Sequence, residues 1–398
     1  MPETRISTAT PRRLAAIDAL RGLVMVLMAL DHAREFFHVG AMTFQPTDLA
    51  QTTPVLFFTR WVTHLCAPTF ALLAGVGVWL RLQRPGETRA SLSRYLVTRG
   101  LWLVLLEIVV MRLAMNFTWS LAYPPLLLVL WMLGLSMMAL AALIWLPARV
   151  VLVASAVVIV GHHVFDGVRA ADLGSVAGLW RVLHEPGVVP LGGIIAIVGY
   201  PLIPWVAVMG AGFGMGPLFA LPQPVRGRRL LGAGLLLCVM FVVLRWVNVY
   251  GDPVPWTSQP SATFTLLSFL NTTKYPPSLA FLLMTLGPAL LLLAWMERRG
   301  WQPGHPLVVL GRVPLFFFVS HFWALHAMAA VAALVTYGSA ARAFLAMPLP
   351  SMGGPANAFP AGFGYPLWVA YLAWVAVLVL LWPACQWAAG ARASRVRR

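Results

Sequence analysis

The chain has 398 residues, of which 60% are hydrophobic and only 10% are charged, and its mean hydropathy is +0.82. A water-soluble chain of this length cannot bury so much apolar surface in one or two cores, so the composition excludes a soluble globular protein. The formal net charge of +16 comes from basic residues in short segments between apolar runs. That pattern indicates membrane topology signals, with the lipid bilayer as partner, and not nucleic-acid binding.

Apolar runs long enough to cross a bilayer follow one another along the whole chain. A hydrocarbon core of about 30 Å requires roughly twenty helical residues. On that basis the sequence predicts an all-α, polytopic membrane protein of about ten transmembrane helices. The two longest runs, 191–219 and 306–336, are expected to be tilted or broken. The predicted spans are 14–33, 54–80, 96–115, 122–146, 149–165, 191–219, 230–250, 277–296, 306–336 and 365–388.

Basic and acidic residues separate between alternate connections of these spans. One set of connections carries eighteen basic residues against three acidic ones, whereas the other set carries five basic residues and seven acidic ones. The positive-inside rule then predicts that both termini lie in the cytoplasm. We expect one transmembrane domain over 1–398, with basic tails at 1–13 and 389–398, in the bacterial inner membrane.

Residue patterns for several common sites are absent from the sequence. The three cysteines fall inside apolar runs without CxxC spacing. There is no P-loop, no glycine-rich dinucleotide motif and no GxSxG nucleophile elbow. His162, His163 and His184 lie in or beside one loop, and their spacing matches no metal-ligand pattern, so we interpret them as surface residues and predict no metal site.

The first apolar run carries charge at both of its ends. Arg21 and His32 are eleven residues apart, so on a helix they lie within roughly 20° of each other and about 16 Å apart along the axis. With Asp18, Met25 and Met28 they form one stripe, which suits a tunnel with an anion site at one end and a general base at the other. Alternatively, Asp18 and Arg21 pair at i,i+3 to anchor one helix end and His32 caps the other.

Other polar residues reach the outer half of the predicted bundle. Asp31 and Glu35 flank His32 and are positioned to orient its imidazole for general-base catalysis. Ionisable residues within membrane spans are costly and mark cavities or functional sites, so the set predicts a polar cavity that opens outward. Its further members are Arg60, His64, Glu107, Arg112, Arg245, His321 and His326.

Five segments resemble the transmembrane acyltransferase superfamily, most closely the bacterial members of its heparan-α-glucosaminide N-acetyltransferase-like branch. The pattern Arg13-x4-Asp18-x-Leu20-Arg21-Gly22-x9-His32 is similar to the opening motif of that superfamily. The segments run from the first to the ninth predicted span and so cover most of the chain. They are Ile17-Asp-Ala-Leu-Arg-Gly22, Leu30-Asp-His-Ala-Arg-Glu-Phe-Phe37, Cys66-Ala-Pro-Thr-Phe-Ala-Leu-Leu-Ala-Gly75, Asn271-Thr-Thr-Lys-Tyr-Pro-Pro-Ser278 and Gly311-Arg-Val-Pro-Leu-Phe316, which leads to His321.

The resemblance implies an acyltransferase that uses acetyl-CoA or another acyl-CoA as a cytoplasmic co-substrate, without a permanently bound cofactor. The acceptor would be a hydroxyl or amine on the far side of the membrane, such as that of a glycan. Arg21 falls on the arginine that faces the donor, and His32 falls on the histidine treated as catalytic in the glycan O-acyltransferases. The lysosomal enzyme has its active histidine a little further along, where His38 is the nearest candidate. The choice between His32 and His38 therefore stays open.

These observations give a hypothesis for the site, with one rival class of function. His32 takes the proton from the acceptor, with Asp31 or Glu35 as the orienting carboxylate and His38 as the alternative base. A polytopic transporter or a non-catalytic envelope-assembly protein would also carry buried charges, and a continuous tunnel from Arg21 to His32 would argue against the transporter. The expected donor-binding residues are Arg13, Asp18, Arg21, Arg99 and Arg312. Those expected on the acceptor or oxyanion side are Arg60, His64, Lys274 and His321.

Overall fold

The computed structural model describes residues 14–120, 123–345, 359 and 362–397, so Arg13 lies outside the described residues. Most of the described chain is helical, which confirms the predicted fold class. The α-helices are α1 (Ala15–Phe37), α2 (Pro54–Thr63), α3 (Cys66–Leu82), α4 (Arg89–Leu106), α5 (Arg112–Asn116), α6 (Val129–Leu143), α7 (Ala148–Gly161), α8 (Ala177–Leu183), α9 (Leu202–Gly214), α10 (Gln223–Val247), α11 (Ala262–Leu270), α12 (Leu279–Glu297), α13 (Pro306–Arg312), α14 (Pro314–Tyr337) and α15 (Leu367–Arg397).

Within the described ranges, 7 helical segments are long and apolar enough to cross a membrane, which indicates a multi-pass membrane protein. Three predicted spans correspond to helices outside this set of 7. The span 14–33 lies on α1, which is long but highly charged, and the span 96–115 lies on α4 and α5, which are joined by a π-helical turn at Glu107–Met111. The span 122–146 contains α6, which has only 15 residues. The count of ten spans and the cytoplasmic termini therefore stay predictions. The 7 segments are Pro54–Leu82, Ala148–Phe165, Leu202–Ala220, Gln223–Val247, Leu279–Glu297, Pro314–Ala341 and Leu367–Arg392.

The predicted span 306–336 is a broken helix. It is interrupted at Val313, between α13 and α14, and each of these helices begins with a proline in its first turn. This break was expected from the length of the run. The run 54–80, predicted as one helix, lies in the helical segment Pro54–Leu82. Within that segment α2 ends at Thr63 and α3 starts at Cys66, and His64 lies at the end of α2, beside a cavity.

The predicted helix over 191–219 is wrong in its first part. Strands β2 (Gly187–Leu191) and β3 (Ile194–Val198) form an antiparallel hairpin, and β1 (Leu126–Leu127) pairs with β3 in parallel. Gly192 and Gly193 connect the hairpin with φ values of 54° and 98°, conformations that favour glycine in two-residue turns. β-branched residues on both sides of a Gly-Gly pair indicate a β-hairpin. The span prediction used only the length of the apolar run and therefore missed this pattern.

Glycines allow α1 and α13 to pack backbone against backbone. A Cβ atom on Gly22 would lie 1.9 Å from the carbonyl oxygen of Leu307, and a Cβ atom on Gly311 would lie 1.7 Å from the carbonyl oxygen of Asp18. Small residues at such contacts are typical of helix interfaces in membranes. The close approach brings Arg312, at the end of α13, beside Asp18 in the first turns of α1.

The prediction that three histidines near the loop after α7 lie on the surface is wrong. His162, His163 and His184 are all buried. The Asp166 carboxylate accepts hydrogen bonds from His163 Nδ1 at 2.7 Å and from His184 Nε2 at 3.2 Å. The backbone N–H of Leu279 donates to His163 Nε2 at 2.8 Å. In the part of the chain that the structure describes, no group of three His, Cys, Asp or Glu side chains is arranged to hold a metal ion.

Candidate active site

A cavity of about 480 Å³, which we call the His32 cavity, lies beside the second half of α1. On α1 it is lined by Met28, Asp31, His32 and Glu35, which share one helix face because they follow the spacing i, i+3, i+4 and i+7. The other walls come from α2, α3, the π-helical turn, the small sheet, α14 and the segment 271–278. The ionisable lining residues are Asp31, His32, Glu35, Arg60, Cys66, Glu107, Tyr200, Lys274 and Tyr275.

The His32 imidazole is fixed by a carboxylate and by two rings. Its Nδ1 lies 2.7 Å from Oε2 of Glu35, one turn further along α1. An ionised carboxylate only accepts hydrogen bonds, so in the neutral imidazole Nδ1 carries the proton and Nε2 keeps its lone pair. The ring centroid lies 4.1 Å from that of Phe322 and 5.3 Å from that of His321. This is the tautomer and the restraint that a general base at Nε2 requires.

Asp31 is held by two arginines. It is buried, its Oδ1 accepts from Arg34 at 3.1 Å, and its Oδ2 accepts from Arg60 on α2. A buried carboxylate with two cationic partners is a stable arrangement, whereas removing one partner of such a pair is costly. Of the two carboxylates that the sequence offered as orienting groups, Glu35 is therefore the one in contact with His32, and Asp31 fixes α1 to α2.

His38 occupies a different environment from His32. It follows the last residue of α1, and its Nδ1 accepts a hydrogen bond from the backbone N–H of Gly40 at 3.1 Å. Burial, together with the nearby Arg34 guanidinium, lowers the pKa of His38 to about 4. Over the described residues, His38 does not line the His32 cavity. The His38 side chain thus caps the 3₁₀ turn Val39–Met42, which directly follows α1.

The capping role of His38 makes stability depend on pH. Because its pKa falls from 6.5 in the unfolded chain to about 4 in the fold, the unfolded state binds more protons between these values. The contribution of His38 to the free energy of unfolding is therefore fully present above about pH 6.5, and it is lost as the pH falls towards 4. We expect His38→Asn, which keeps an acceptor for the Gly40 N–H, to reduce the loss of apparent Tm between pH 7 and pH 4.5 in detergent. An unchanged slope in this variant would contradict the assignment.

At the other end of α1, Asp18 lies between two arginines. Its carboxylate is 3.8 Å from the Arg21 guanidinium and 3.9 Å from that of Arg312 on α13. Arg21 also donates to the carbonyl oxygen of Leu73 on α3 at 2.8 Å. The predicted i,i+3 pairing of Asp18 and Arg21 is thus confirmed, and we call Asp18, Arg21 and Arg312 the Asp18 cluster. About a quarter of each arginine side chain is exposed.

The predicted donor side is only partly assembled around this cluster. Arg99 is half-buried on α4, a helix that packs mainly against α6. On the α1 stripe, Met28 lines the His32 cavity and Met25 is buried in the core. The described lining of the cavity does not include Arg21, so it ends at Met28 before reaching the Asp18 cluster. The expected continuous tunnel is therefore not seen in the described residues.

Glu107, which the sequence placed in the predicted polar cavity, is part of the wall of the His32 cavity. Its Oε2 accepts hydrogen bonds from the backbone N–H groups of Leu130 at 2.6 Å and Trp131 at 3.1 Å, in the first turn of α6. A carboxylate at a helix N-terminus satisfies free N–H groups and interacts favourably with the helix dipole. The sequence indicated that Glu107 makes buried contacts of this kind, because an acidic residue in the middle of an apolar run requires buried partners.

A second cavity of about 340 Å³, which we call the His64 cavity, adjoins the first. Arg60, Lys274 and Tyr275 line both cavities and therefore form the wall between them. His64 is 4% exposed, and its Nδ1 has no hydrogen-bond partner among the described residues. The structure thus brings together Arg60, His64 and Lys274, three of the four residues expected on the acceptor or oxyanion side.

His321, the fourth of these residues, lies behind His32. It is fully buried on α14, and its Nδ1 donates to the carbonyl oxygen of Phe317 at 2.9 Å. The ring stacks on Phe317 and faces His32 at a centroid distance of 5.3 Å. In the described lining of the two cavities His321 does not appear. Its position supports the His32 ring more directly than it supports an acceptor.

The comparison with protein families gives one match. The family model described as "Heparan-alpha-glucosaminide N-acetyltransferase, catalytic" matches residues 13–248. The matched region contains His32, Glu35, Arg60 and Glu107, and it ends beside the last residue of α10. Among curated proteins, none matches the chain. Because the match extends over more than half of the sequence, the chain belongs to the heparan-alpha-glucosaminide N-acetyltransferase catalytic family of membrane acetyltransferases.

Proposed function

We propose that the protein moves an acetyl or other acyl group from cytoplasmic acyl-CoA to a hydroxyl or amine of an acceptor outside a bacterial inner membrane. A glycan is the acceptor class that we propose. Membership of an acetyltransferase family supports the reaction class. The observation that carries the proposal is His32, whose Nδ1 is held by Glu35 so that Nε2 keeps its lone pair beside a cavity.

The Asp18 cluster is the proposed donor end. Guanidinium groups suit phosphate because their planar N–H donors match its oxygens, and Arg21 and Arg312 each keep exposed surface. Along α1 the distance from Arg21 to His32 is about 16 Å by helical rise. A pantetheine arm bound beside Met25 and Met28 would bring the thioester of acyl-CoA towards His32. This path requires movement of the side chains between Met28 and Arg21.

In the proposed chemistry, His32 Nε2 takes the proton of the acceptor hydroxyl or amine while that nucleophile attacks the thioester carbonyl. The tetrahedral intermediate collapses, the C–S bond breaks, and the imidazolium returns the proton to the CoA sulfur. Arg60 or Lys274, both in the cavity wall, stabilises the oxyanion. In the alternative covalent route, Nε2 itself attacks the thioester carbonyl and CoA leaves as its thiolate. The acyl group of the acyl-histidine is then transferred to the acceptor, whose proton goes to the CoA sulfur.

Glu35 and Asp31 are expected to differ in their effects on turnover. Glu35→Gln weakens the charge-assisted bond that fixes the His32 tautomer, so we expect kcat to fall about 10- to 100-fold with little change in the KM for acetyl-CoA. Asp31→Asn leaves Arg60 without its buried counter-ion and Arg34 with Glu35 alone, so its main effect should be a lower Tm. Steady-state CoA release measures kcat and KM, and thermal unfolding in detergent measures the Tm. The control is Glu87→Gln, in the α3–α4 loop.

The reverse pattern would contradict this division of roles. If Asp31→Asn kept the wild-type Tm and lost turnover, while Glu35→Gln remained active, Asp31 would be the orienting carboxylate.

The reaction itself is tested with purified protein in detergent, acetyl-CoA carrying a labelled acetyl group, and an extract of bacterial envelope. We expect acetyl-CoA to bind, CoA to be released only with extract present, and the label to appear in an extract component. Protein that neither binds nor consumes acetyl-CoA, with or without extract, would overturn the proposal.

A further inference from the structure

A cavity of about 780 Å³, which we call the Trp301 cavity, lies where α12 ends and shares no described lining residue with the His32 and His64 cavities. Its walls are α12, the turn 298–305, the start of α13 and Leu23 on α1. The segment Leu279–Glu297 is long and apolar enough to cross a membrane, so its end marks the boundary between the hydrocarbon and the polar surface of the bilayer. The Trp301 cavity therefore lies at the level of the lipid headgroups.

The lining of the Trp301 cavity changes from apolar to polar in the direction in which α12 ends. Leu292, Trp295 and Met296 follow the spacing i, i+3 and i+4, so they share one face of α12. Leu23 and Leu307 extend this apolar surface. A site with such a gradient is complementary to an amphiphile that has a hydrocarbon chain and a polar headgroup. The exposed polar side chains of the turn that line the cavity are Arg299, Gln302 and His305.

Arg299 gives the polar end of the cavity a positive charge. Its guanidinium carbon lies 4.5 Å from the centroid of the Trp295 ring, a cation–π contact that holds the side chain at the cavity wall. Arg299 forms no ion pair with any described residue, and the described lining contains no carboxylate. Glu297, the acidic residue closest in sequence, pairs instead with Arg226 on α10. A cation in a site without a carboxylate attracts an anionic ligand.

Trp301 holds the polar wall in place. Its Nε1 donates to the carbonyl oxygen of Met296 at 2.7 Å, and its ring meets the His305 ring edge-on at a centroid distance of 4.7 Å. The backbone N–H of Leu307 donates to His305 Nδ1 at 3.3 Å. Tryptophan is also the residue typical of membrane–water interfaces. The turn 298–305 is therefore tied to both helices that it connects, and the polar end of the cavity is preformed.

The Trp301 cavity and the Asp18 cluster lie on different faces of α1. Leu23 follows Arg21 by two residues, so the two side chains are roughly 160° apart around the helix. Arg21 donates to the Leu73 carbonyl oxygen on α3, whereas Leu23 faces the cavity formed by α12 and α13. The Trp301 cavity is therefore a separate site and not an extension of the proposed donor path.

We infer that the Trp301 cavity is a binding site for an anionic phospholipid. The phosphate lies at Arg299, and an acyl chain runs along Leu292 and Leu307 into the bilayer. Because Leu307 also packs against Gly22 of α1, the bound lipid stabilises the junction of α1 with α13, the helix that ends at Arg312. This inference does not depend on the proposed acyl transfer, since lipid binding is measured without turnover.

Site-resolved cross-linking tests the inference. The purified protein in detergent micelles receives phosphatidylglycerol that carries a diazirine in one acyl chain, and peptide mass spectrometry locates the label. We expect the label on the walls of the Trp301 cavity, in α12 and α13. Unlabelled phosphatidylglycerol should compete at about tenfold lower concentration than phosphatidylcholine with the same chains, the effect of one charge-assisted contact. CoA, a phosphate anion without an acyl chain, should not compete.

Two neighbouring arginines provide the variant and its matched control. At a subsaturating probe concentration, Arg299→Gln should lower labelling of the cavity about tenfold. Arg298→Gln removes the same charge from a side chain outside the described lining, so it should change the labelling less than about twofold. Both arginines are exposed, and Tm values equal to that of the wild type verify that both variants fold.

Four results would overturn the inference. They are equal competition by the two lipids, competition by CoA, equal loss of labelling in both arginine variants, and absence of the label from the cavity walls. Competition by CoA would make the cavity a nucleotide site, and equal loss in both variants would mean that the lipid responds only to the general surface charge.

Discussion

Replacing His32 by alanine is expected to lower kcat for acetyl transfer by about 10²- to 10⁴-fold, the usual contribution of a general base. The KM for acetyl-CoA should change little, because the proposed phosphate contacts lie at the Asp18 cluster, about 16 Å away along α1. His32 is partly exposed to its cavity, so the substitution removes no large core volume and the Tm should stay close to that of the wild type. Initial rates of CoA release with envelope extract provide the measurement.

His38→Ala is the matched control for this experiment. His38 is a histidine of the same helix end, but its imidazole accepts the Gly40 N–H and does not line the His32 cavity among the described residues. The alanine variant should therefore retain kcat within about threefold and lose some stability, since a backbone N–H loses its acceptor. Full activity in His32→Ala together with inactive, folded His38→Ala would transfer the catalytic role to His38.

Relationships within one helix were predictable from the sequence. Once 14–33 is recognised as helical, the spacing of Asp18 and Arg21 allows these side chains to meet, and the pair is formed. His32 and Glu35 meet because α1 continues to Phe37, beyond the predicted end of the span. The sequence did not decide between Asp31 and Glu35, because that choice depends on Arg60, which α2 brings to Asp31 from a different part of the chain.

Relationships between distant elements were not predictable in this way. Glu107 meets the first turn of α6 only because α4 packs against α6. The shared wall requires the turn before α12 to reach the end of α2, and no spacing in the sequence encodes that distance. The hairpin at β2 and β3 was missed for another reason: an apolar β-branched run resembles a buried helix when only its length is considered.

The largest effect on stability is expected at the contact of α1 with α13. In Gly311→Val, the new Cβ would lie 1.7 Å from the carbonyl oxygen of Asp18. This is a backbone atom, which cannot avoid the clash by changing rotamer as a side chain can. The two helices must then separate, which should cost at least about 3 kcal/mol in free energy of unfolding, at the upper end for overpacked interiors. Gly22→Val should act in the same way, through the Leu307 carbonyl. We expect both variants to give little monodisperse protein and a much lower Tm in detergent.

Gly232→Ala is the control for this prediction, since a Cβ at this exposed position of α10 would meet no atom within 4 Å. Alanine is the better helix former, so the variant should equal or exceed the wild-type Tm by the equivalent of about 0.5–1 kcal/mol. The milder Gly311→Ala shows whether packing also controls function. It should move Arg312 away from Asp18 and weaken acetyl-CoA binding in the protein that remains folded. Wild-type stability in both valine variants would mean that α1 and α13 do not pack through these glycines.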